Sequence, residues 1–271
     1  MITVVKAPPF ATVQDLGRFG YRCSAVPPSG AMDPEALAHA NGQVGNHRGA
    51  AAVEWGIGAG RLRLSRGVEF AIAGADTIAH REGEELIIDG LRAGAWAYLA
   101  VRGGVDVPEV LGSRSTYLPG RFGGFGGRQL RAGDVLNIGT QQNDHGGSGW
   151  APVPAAGGAD RFTVVPGPDR WMMDDAGWEE FLATEWIVSR AVSRMGYRLE
   201  GPALQVEPPA DAPSAPLCPG TVQLPEGGRP IVLMPDGPTV GGYPRVAVVL
   251  SGELGRLAQR RPGERVRFAP R

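Results

Sequence analysis

The amino-acid sequence predicts a mainly β fold with few helices, built as two similar barrels in tandem. Short apolar and β-branched runs of strand length recur through the 271 residues, and most are bounded by Gly, Pro or Asp. A stretch rich in Gly, Pro and Ala at 141–160 divides these runs into two blocks. Both blocks end on a similar phrase, RAGDVL at 131–136 and RPGERV at 261–266, which indicates a duplicated barrel.

The chain is longer than the ~100–200 residues of one typical domain, which favours two domains. We expect an N-terminal barrel over 1–145, a linker at 146–159 and a C-terminal barrel over 160–271.

Each block supplies its own set of strand candidates. In the first block they are 2–5, 61–64, 69–73, 85–89, 96–101 and 135–138, with a strand-like run at 52–55. In the second block they are 162–165, 186–189, 197–201, 221–224, 230–234 and 245–250.

Helices are few. The clearest is near 33–45, where Asp33 is a good N-cap, Pro34 takes the first helical position and Gly45-Asn46 supplies the stop. A second helix is expected from about Asp175 to Ala183, and a shorter third near 253–259.

The bulk composition excludes several kinds of partner. With a net charge of −1 and a pI near 6.4, the chain has no excess positive charge to attract a nucleic-acid backbone or an anionic membrane. No run approaches the ~20 apolar residues of a membrane span, and the start lacks a signal peptide, so we expect a cytoplasmic protein. Cys23, Cys218 and the four His residues show no disulfide, metal or nucleophile spacing, so no metal site is expected.

The chain contains a single lysine, Lys6. A P-loop needs a Gly-Lys-Ser/Thr triplet, and a biotin carrier needs a Lys within Met-Lys-Met, whereas Lys6 lies in Val-Lys-Ala. The chain is therefore predicted to be neither a P-loop ATPase nor a carrier of biotin.

The densest polar cluster precedes and includes the first helix. It contains Asp15, Arg18, Ser29 and Asp33 among glycines, a composition that suits recognition of a small polar or anionic group. The alternative is an ion-paired and well-capped loop without a ligand.

Two polar residues follow in and after the helix. Asn41 is a poor helix former and suits a buried amide hydrogen bond better than a substrate contact. Glu54, among apolar neighbours, is either an acid/base group with a raised pKa or half of a structural pair.

Further candidates are glycine-rich. Gly103, Gly104, Ser113 and Arg114 lead into the segment 120–128, where Arg114, Arg121 and Arg128 could grip phosphate or carboxylate. The same glycines would also suit a mobile lid.

In the second block, Arg194 and the segment 235–244 stand out. Asp236, Thr239 and Tyr243 around Gly241-Gly242 could transfer protons to or from an amide, or could simply form a β-turn ahead of a strand.

Together these phrases closely resemble the biotin-dependent carboxyltransferase-like family, also called allophanate hydrolase subunit 2. This family includes the C component of bacterial 5-oxoprolinase, the kinase-inhibitor antagonist of sporulating bacteria and a part of urea carboxylase. The shared phrases are 13–18, 29–33, 40–41, 44–46, 103–104, 112–116, 194–196, Gln223, Asp236, Thr239 and 241–244. Two departures are Val192-Ser193, where the family usually has a carboxylate before the arginine, and Ala215-Pro216, where it tends to have Glu-Gly.

The resemblance implies two cyclophilin-like β-barrel domains and two partner proteins. One partner is the B component of 5-oxoprolinase, a sister carboxyltransferase-like chain, and the other is its A component. The resemblance also implies a complex that uses ATP, with Mg, to hydrolyse the small amide 5-oxo-L-proline to L-glutamate. Two other functions stay open: carboxyl transfer to a urea-like amide with biotin on another protein, and binding of a kinase inhibitor by a regulatory protein.

On this basis we expect candidate site residues from both barrels. Asp15, Asp33, Asp236 and Tyr243 are the catalytic candidates. The substrate-binding candidates are Arg18, Ser29, Asn41, Glu54, Gly103, Gly104, Ser113, Arg114, Arg194, Gln223, Thr239, Gly241 and Gly242.

Overall fold

The computed structural model describes residues 1–140, 160–209 and 212–271. These residues fall into two compact units. Unit 1 comprises residues 1–18 and 29–140, and unit 2 comprises 19–28, 160–209 and 212–271. The expected linker at 146–159 lies outside the described residues, and the expected domain boundaries stay a prediction.

Unit 1 is one eight-stranded sheet with a single α-helix among its described residues, α1 (Pro34–Gln43). Its strands are β1 (Ile2–Lys6), β2 (Thr12–Gln14), β3 (Ala52–Trp55), β4 (Gly60–Leu64), β5 (Phe70–Glu82), β6 (Glu85–Val101), β7 (Val105–Asp106) and β8 (Val135–Ile138). The sheet order is β2-β3-β6-β4-β1-β8-β7, with β5 paired to β6. One face of the sheet is apolar, since residues alternate between buried and exposed along β4, and Trp55, Leu62 and Leu99 lie in the core.

The longest pair, β5 and β6, exceeds the predicted strands. The expected runs at 85–89 and 96–101 join into one strand, and β5 continues past residue 73 to Glu82. Register shifts between Gly74 and Ala79 let the pairing continue through segments with no apolar run.

Helix α1 begins as predicted. The Asp33 side chain accepts a hydrogen bond from the Ala36 amide at 3.1 Å, and Pro34 is the first helical residue. Ala36 and Leu37 are buried, because the helix packs on β5 and β6.

Unit 2 contains a closed barrel in the order β10-β11-β14-β13-β16-β9-β17. Its strands are β9 (Arg161–Pro166), β10 (Trp186–Ser193), β11 (Gly196–Glu200), β12 (Ala215–Pro216), β13 (Thr221–Gln223), β14 (Ile231–Leu233), β15 (Val240–Gly241), β16 (Arg245–Val249) and β17 (Arg265–Pro270). Its helices are α2 (Asp175–Ala183), with the predicted bounds, and α3 (Ser251–Ala258), which starts two residues earlier than expected. Phe162, Phe181, Trp186 and Phe268 form the aromatic centre.

The predicted class, mainly β with few helices in two barrel-like sheets, is confirmed. Among the residues that the structure describes, no helix is long and apolar enough to cross a membrane.

Candidate functional site

The polar cluster of unit 1 is built around Asp15, in the turn after β2. Its Oδ1 atom accepts hydrogen bonds from the hydroxyls of Ser113 (2.7 Å) and Ser115 (2.5 Å) and from the Gly17 amide (2.7 Å). Its Oδ2 atom accepts a bond from the Arg114 amide at 2.6 Å. The carboxylate therefore positions the 113–115 segment, and a role in proton transfer stays a prediction.

Arg18 supports the same segment from inside the unit. Its side chain donates to the carbonyls of Ser115 and Val110, the latter at 3.4 Å, and lies 5.0 Å from the centre of the Phe122 ring. Only 1% of Arg18 is exposed, so these contacts give it a structural position, and its predicted contact with substrate stays a prediction.

The glycine-rich segment 120–128 packs tightly against this cluster. Gly123 and Gly124 have φ of +70° and +52°, and an added Cβ would collide with the Ser115 carbonyl and the Thr116 hydroxyl respectively. Arg128 forms a two-point ion pair with Asp134, at 2.7 and 2.8 Å, and this hydrogen bonding lowers the pKa of the Asp134 carboxyl. Of the two interpretations left open, the packing does not favour a lid.

Ser29 and Gly30 form a strained turn beside Asp15. Their φ angles are +52° and +84°, and a Cβ at Gly30 would lie 2.8 Å from the Gly17 nitrogen. The Ala31 amide donates to the Asp15 carbonyl at 2.9 Å. The buried Ser29 hydroxyl has no hydrogen-bond partner among the described residues.

Glu54 is fully buried in β3. Its Oε2 atom accepts bonds from the Met32 amide and the Tyr98 hydroxyl, both at 2.8 Å, and the Tyr98 oxygen accepts a bond from the Asp33 amide at 2.7 Å. Burial, followed by the charges of Glu54 and Asp33, raises the pKa of Tyr98 well above its ordinary value, so the phenol stays a donor. These contacts match the structural alternative for Glu54 and place Asp33 as a helix cap.

Asn41 and Asn46 tie the end of α1 to the Gly103 turn. Asn41 Nδ2 donates to the Ala50 carbonyl at 2.7 Å, and its Oδ1 accepts from Asn46 at 3.0 Å. Asn46 in turn bonds the Val101 carbonyl and the Gly103 amide, at 2.7 and 2.8 Å. Asn41 is buried and makes the amide hydrogen bond expected for it, and its predicted contact with substrate stays a prediction.

Three of the predicted residues line one cavity of about 430 Å³ in unit 1. They are Gly103, Gly104 and Arg114, which share it with Asn46, Asp106 and Thr140. Arg114 donates to Glu109 at 2.5 Å and lies 3.8 Å from Asp106, so carboxylates already balance its charge. Asp15 and Ser113 do not line this cavity. Asp15 acts on it indirectly, by accepting a hydrogen bond from the Arg114 amide.

The buried ion pair of unit 2 joins Arg194 to Asp236. Arg194 Nε and Nη2 donate to the two Asp236 oxygens at 2.9 and 3.1 Å, and the Asp236 amide donates to the Arg194 carbonyl at 2.9 Å. Arg194 is therefore paired with a carboxylate although position 193 carries a serine.

The other predicted residues of unit 2 surround the short β12–β15 pair. Gly241 pairs with Ala215, the Thr239 carbonyl accepts from the Leu217 amide at 2.8 Å, and Gln223 donates to the Tyr243 carbonyl at 3.4 Å. An added Cβ at Gly242 would make an ordinary contact of 3.7 Å with the Ser214 hydroxyl, so packing does not require glycine there. Tyr243 is 51% exposed and lines a second cavity, of about 510 Å³.

Several members of these clusters were not predicted as site residues. Ser115 and Tyr98 complete the hydrogen-bond networks, and Asp169 binds Arg245 at 2.7 Å. A signal existed for Tyr98, because a phenol within the apolar run 96–101 needs a hydrogen-bond partner when it is buried. Within the described ranges, no cluster of three His, Cys, Asp or Glu side chains could hold a metal ion.

Residues 24–270 match the profile of the family described as carboxyltransferase domain, subdomain A and B. The chain belongs to this family, and the resemblance seen in the sequence is confirmed.

Two curated relatives and one solved structure illustrate the match. The chain is 36% identical to the C subunit of 5-oxoprolinase from Escherichia coli, over 99% of this chain and 90% of that protein. It is 32% identical to the urea amidolyase of Lachancea kluyveri over 96% of this chain, but covers 16% of that protein. The crystal structure of the Kluyveromyces lactis urea amidolyase superposes with a TM-score of 0.91 at 29% identity, over 99% of this chain and 18% of that one.

Proposed function

We propose that this chain is the C component of an ATP-using 5-oxoprolinase, a complex that hydrolyses 5-oxo-L-proline to L-glutamate. The observation that carries the proposal is the 36% identity to the 5-oxoprolinase component of Escherichia coli, over 99% of this chain and 90% of the relative. Because the match runs along nearly all of both proteins, it includes the polar clusters of both units.

The chemistry of the substrate agrees with the residues available. A five-membered lactam that bears a carboxylate requires a cation for the acid group and hydrogen-bonding groups for the amide. In unit 2, Tyr243 lines a cavity together with Arg198 and Arg229. Since the nitrogen of an amide is a poor leaving group without activation of the carbonyl, coupling to ATP is chemically reasonable.

The proposal includes the A and B components of 5-oxoprolinase as partners, because the relative is itself named as one lettered part of a larger enzyme. ATP, with Mg, is used by the complex, and no P-loop or biotin-attachment lysine is available on this chain, whose single lysine lies in β1. We place the complex in the cytoplasm, where ATP is supplied.

The test is reconstitution. This chain is co-expressed with the A and B components of its own genome, and glutamate release from 5-oxo-L-proline is measured with and without ATP. The expected result is release that requires ATP and all three proteins, with omission of this chain as the control. Release that is unchanged without this chain, or none from the full assembly, contradicts the proposal.

A second candidate is carboxyl transfer to a urea-like amide, with the biotin on another protein. It is favoured by the family description and by the urea amidolyase structure with a TM-score of 0.91. An assembly that leaves 5-oxo-L-proline intact but carboxylates urea in the presence of a biotin carrier would establish this function instead.

A further inference from the structure

The cavity of about 510 Å³ in unit 2 lies on the outer face of the barrel, beside the turn that joins β13 to β14. Its size falls within the range of small-molecule sites, ~300–1,000 Å³. Its polar lining consists of Ser189, Arg198, Glu200, Glu226, Arg229 and Tyr243.

Strand register explains why these groups meet. Arg198 of β11 pairs with Ile231 of β14, which pairs in turn with Gln223 of β13. Directly paired residues project from the same face of a sheet, so the three form one row across neighbouring strands. Gln223 donates to the Tyr243 carbonyl at 3.4 Å, which places Tyr243 beside this row.

The turn from Pro225 to Arg229 closes the opposite side. The Gly228 amide donates to the Pro225 carbonyl at 2.8 Å, and Arg229 Nε donates to the Gly201 carbonyl at 3.4 Å. Gly227 has no heavy atom within 4 Å of an added Cβ, so the turn leaves open space at that point.

Arg198 differs from Arg194 and Arg245 of the same unit in its ion pairing. Arg194 is paired with Asp236, and Arg245 with Asp169. Arg198 is exposed, and its guanidinium forms no hydrogen bond or ion pair with any residue in the described part of the chain. An unpaired guanidinium in a cavity is available for a bidentate contact with a carboxylate.

The remaining lining complements a cyclic amide acid. Ile231 and Pro230 offer apolar surface to a ring, a glutamate can accept the amide N–H, and the Tyr243 hydroxyl can donate to the amide carbonyl. We propose that this cavity binds a small cyclic amide that carries a carboxylate, with Arg198 as the carboxylate anchor and Tyr243 as the donor to the amide carbonyl. The cyclic amide as ligand rests on the proposed function, whereas the carboxylate anchor at Arg198 and the donor at Tyr243 rest on the cavity.

The test measures binding by titration calorimetry, on the full chain and on the assembled complex. The probes are 5-oxo-L-proline, 2-pyrrolidinone, which lacks the carboxylate, and cyclopentanecarboxylate, which lacks the amide. Arg198→Gln is expected to weaken 5-oxo-L-proline binding about tenfold or more, since it removes a charge-assisted contact, and to leave 2-pyrrolidinone binding unchanged. Tyr243→Phe should weaken both amides and spare cyclopentanecarboxylate.

The matched control is Arg190→Gln, an exposed arginine of β10 outside the cavity lining, which should bind all three probes as the parent does. Equal affinity for 5-oxo-L-proline in Arg198→Gln and the parent, or no binding to either preparation, overturns the cavity proposal. If the complex hydrolyses 5-oxo-L-proline with an unchanged KM in Arg198→Gln, the cavity assignment fails while the function stands. If binding depends on Arg198 but the complex releases no glutamate, the cavity assignment stands and the proposed function fails.

Discussion

Arg194 and Asp236 form a two-point ion pair in which 4% and 1% of the side chains are exposed. Removal of one partner leaves a buried charge uncompensated, which costs about 3–5 kcal/mol. The Asp236 backbone also returns a hydrogen bond to Arg194, so the pair joins the 194–196 turn to the 235–244 segment.

We therefore predict that Asp236→Ala lowers the free energy of unfolding by about 3–5 kcal/mol in chemical denaturation. The control is Glu69→Gln, which breaks the exposed pair with Arg102 and should change stability by at most about 1 kcal/mol. Similar small losses in both variants would show that the buried pair carries little stability.

Asp15→Ala should loosen the 113–115 segment more than it unfolds the chain. The lost carboxylate accepts the Gly17 and Arg114 amides at 2.7 and 2.6 Å, so their hydrogen exchange should accelerate by about tenfold or more. Exchange is followed by NMR or mass spectrometry, with Glu82→Ala on the exposed end of β5 as the control. Unchanged protection of the Arg114 amide would contradict the positioning role of Asp15.

Local signals in the sequence were sufficient to predict the helices but not the contacts of the candidate site. Asp33, Pro34 and the stop at Gly45 define α1 from adjacent residues, as short-range capping allows. Asp15 instead meets Ser113 and Ser115 across 98 and 100 residues, and no pattern near Asp15 records that contact. The end of β5 after residue 73 and the middle of β6 at 90–95 were missed for a related reason, since pairing between the two strands extends them through segments that contain no apolar run.

Asn46→Ala should destabilise unit 1 because it leaves two groups, Asn41 Oδ1 and the Gly103 amide, without the partner that Asn46 supplies. The Val101 carbonyl also loses a bond but keeps the one from the Gly104 amide, so we expect a loss of about 1–3 kcal/mol in unfolding free energy. Asn137→Ala, at an exposed position of β8, is the matched control and should be nearly neutral. Equal stability of the two variants would show that water replaces these bonds at no cost.

The Asp169–Arg245 pair predicts an acid-dependent loss of stability. Hydrogen bonding to Arg245 lowers the folded pKa of Asp169, while the unfolded value is about 3.9. The stabilisation is therefore present above about pH 4 and is lost as the pH falls through the folded pKa. Denaturation from pH 7 to pH 2 should show a shallower acid decline in Asp169→Asn than in the parent, and parallel curves would contradict the assignment.

Alanine substitutions at Gly123 and Gly126 distinguish two reasons for glycine in the segment 120–128, namely close packing against Ser115 and a positive φ angle alone. Both have positive φ, +70° and +66°, so alanine at either position costs roughly 1 kcal/mol in conformation alone. An added Cβ at Gly126 meets nothing within 4 Å, whereas at Gly123 it collides with the Ser115 carbonyl.

Gly123→Ala should therefore lower the unfolding free energy well beyond the Gly126→Ala control, because Ser115 must move. Since Ser115 donates to Asp15, chemical shifts of Gly17 and Arg114 should also change in Gly123→Ala and stay fixed in Gly126→Ala. Equal effects of the two substitutions on stability and on these shifts would show that the segment can withdraw from the Asp15 cluster. The lid interpretation would then regain support.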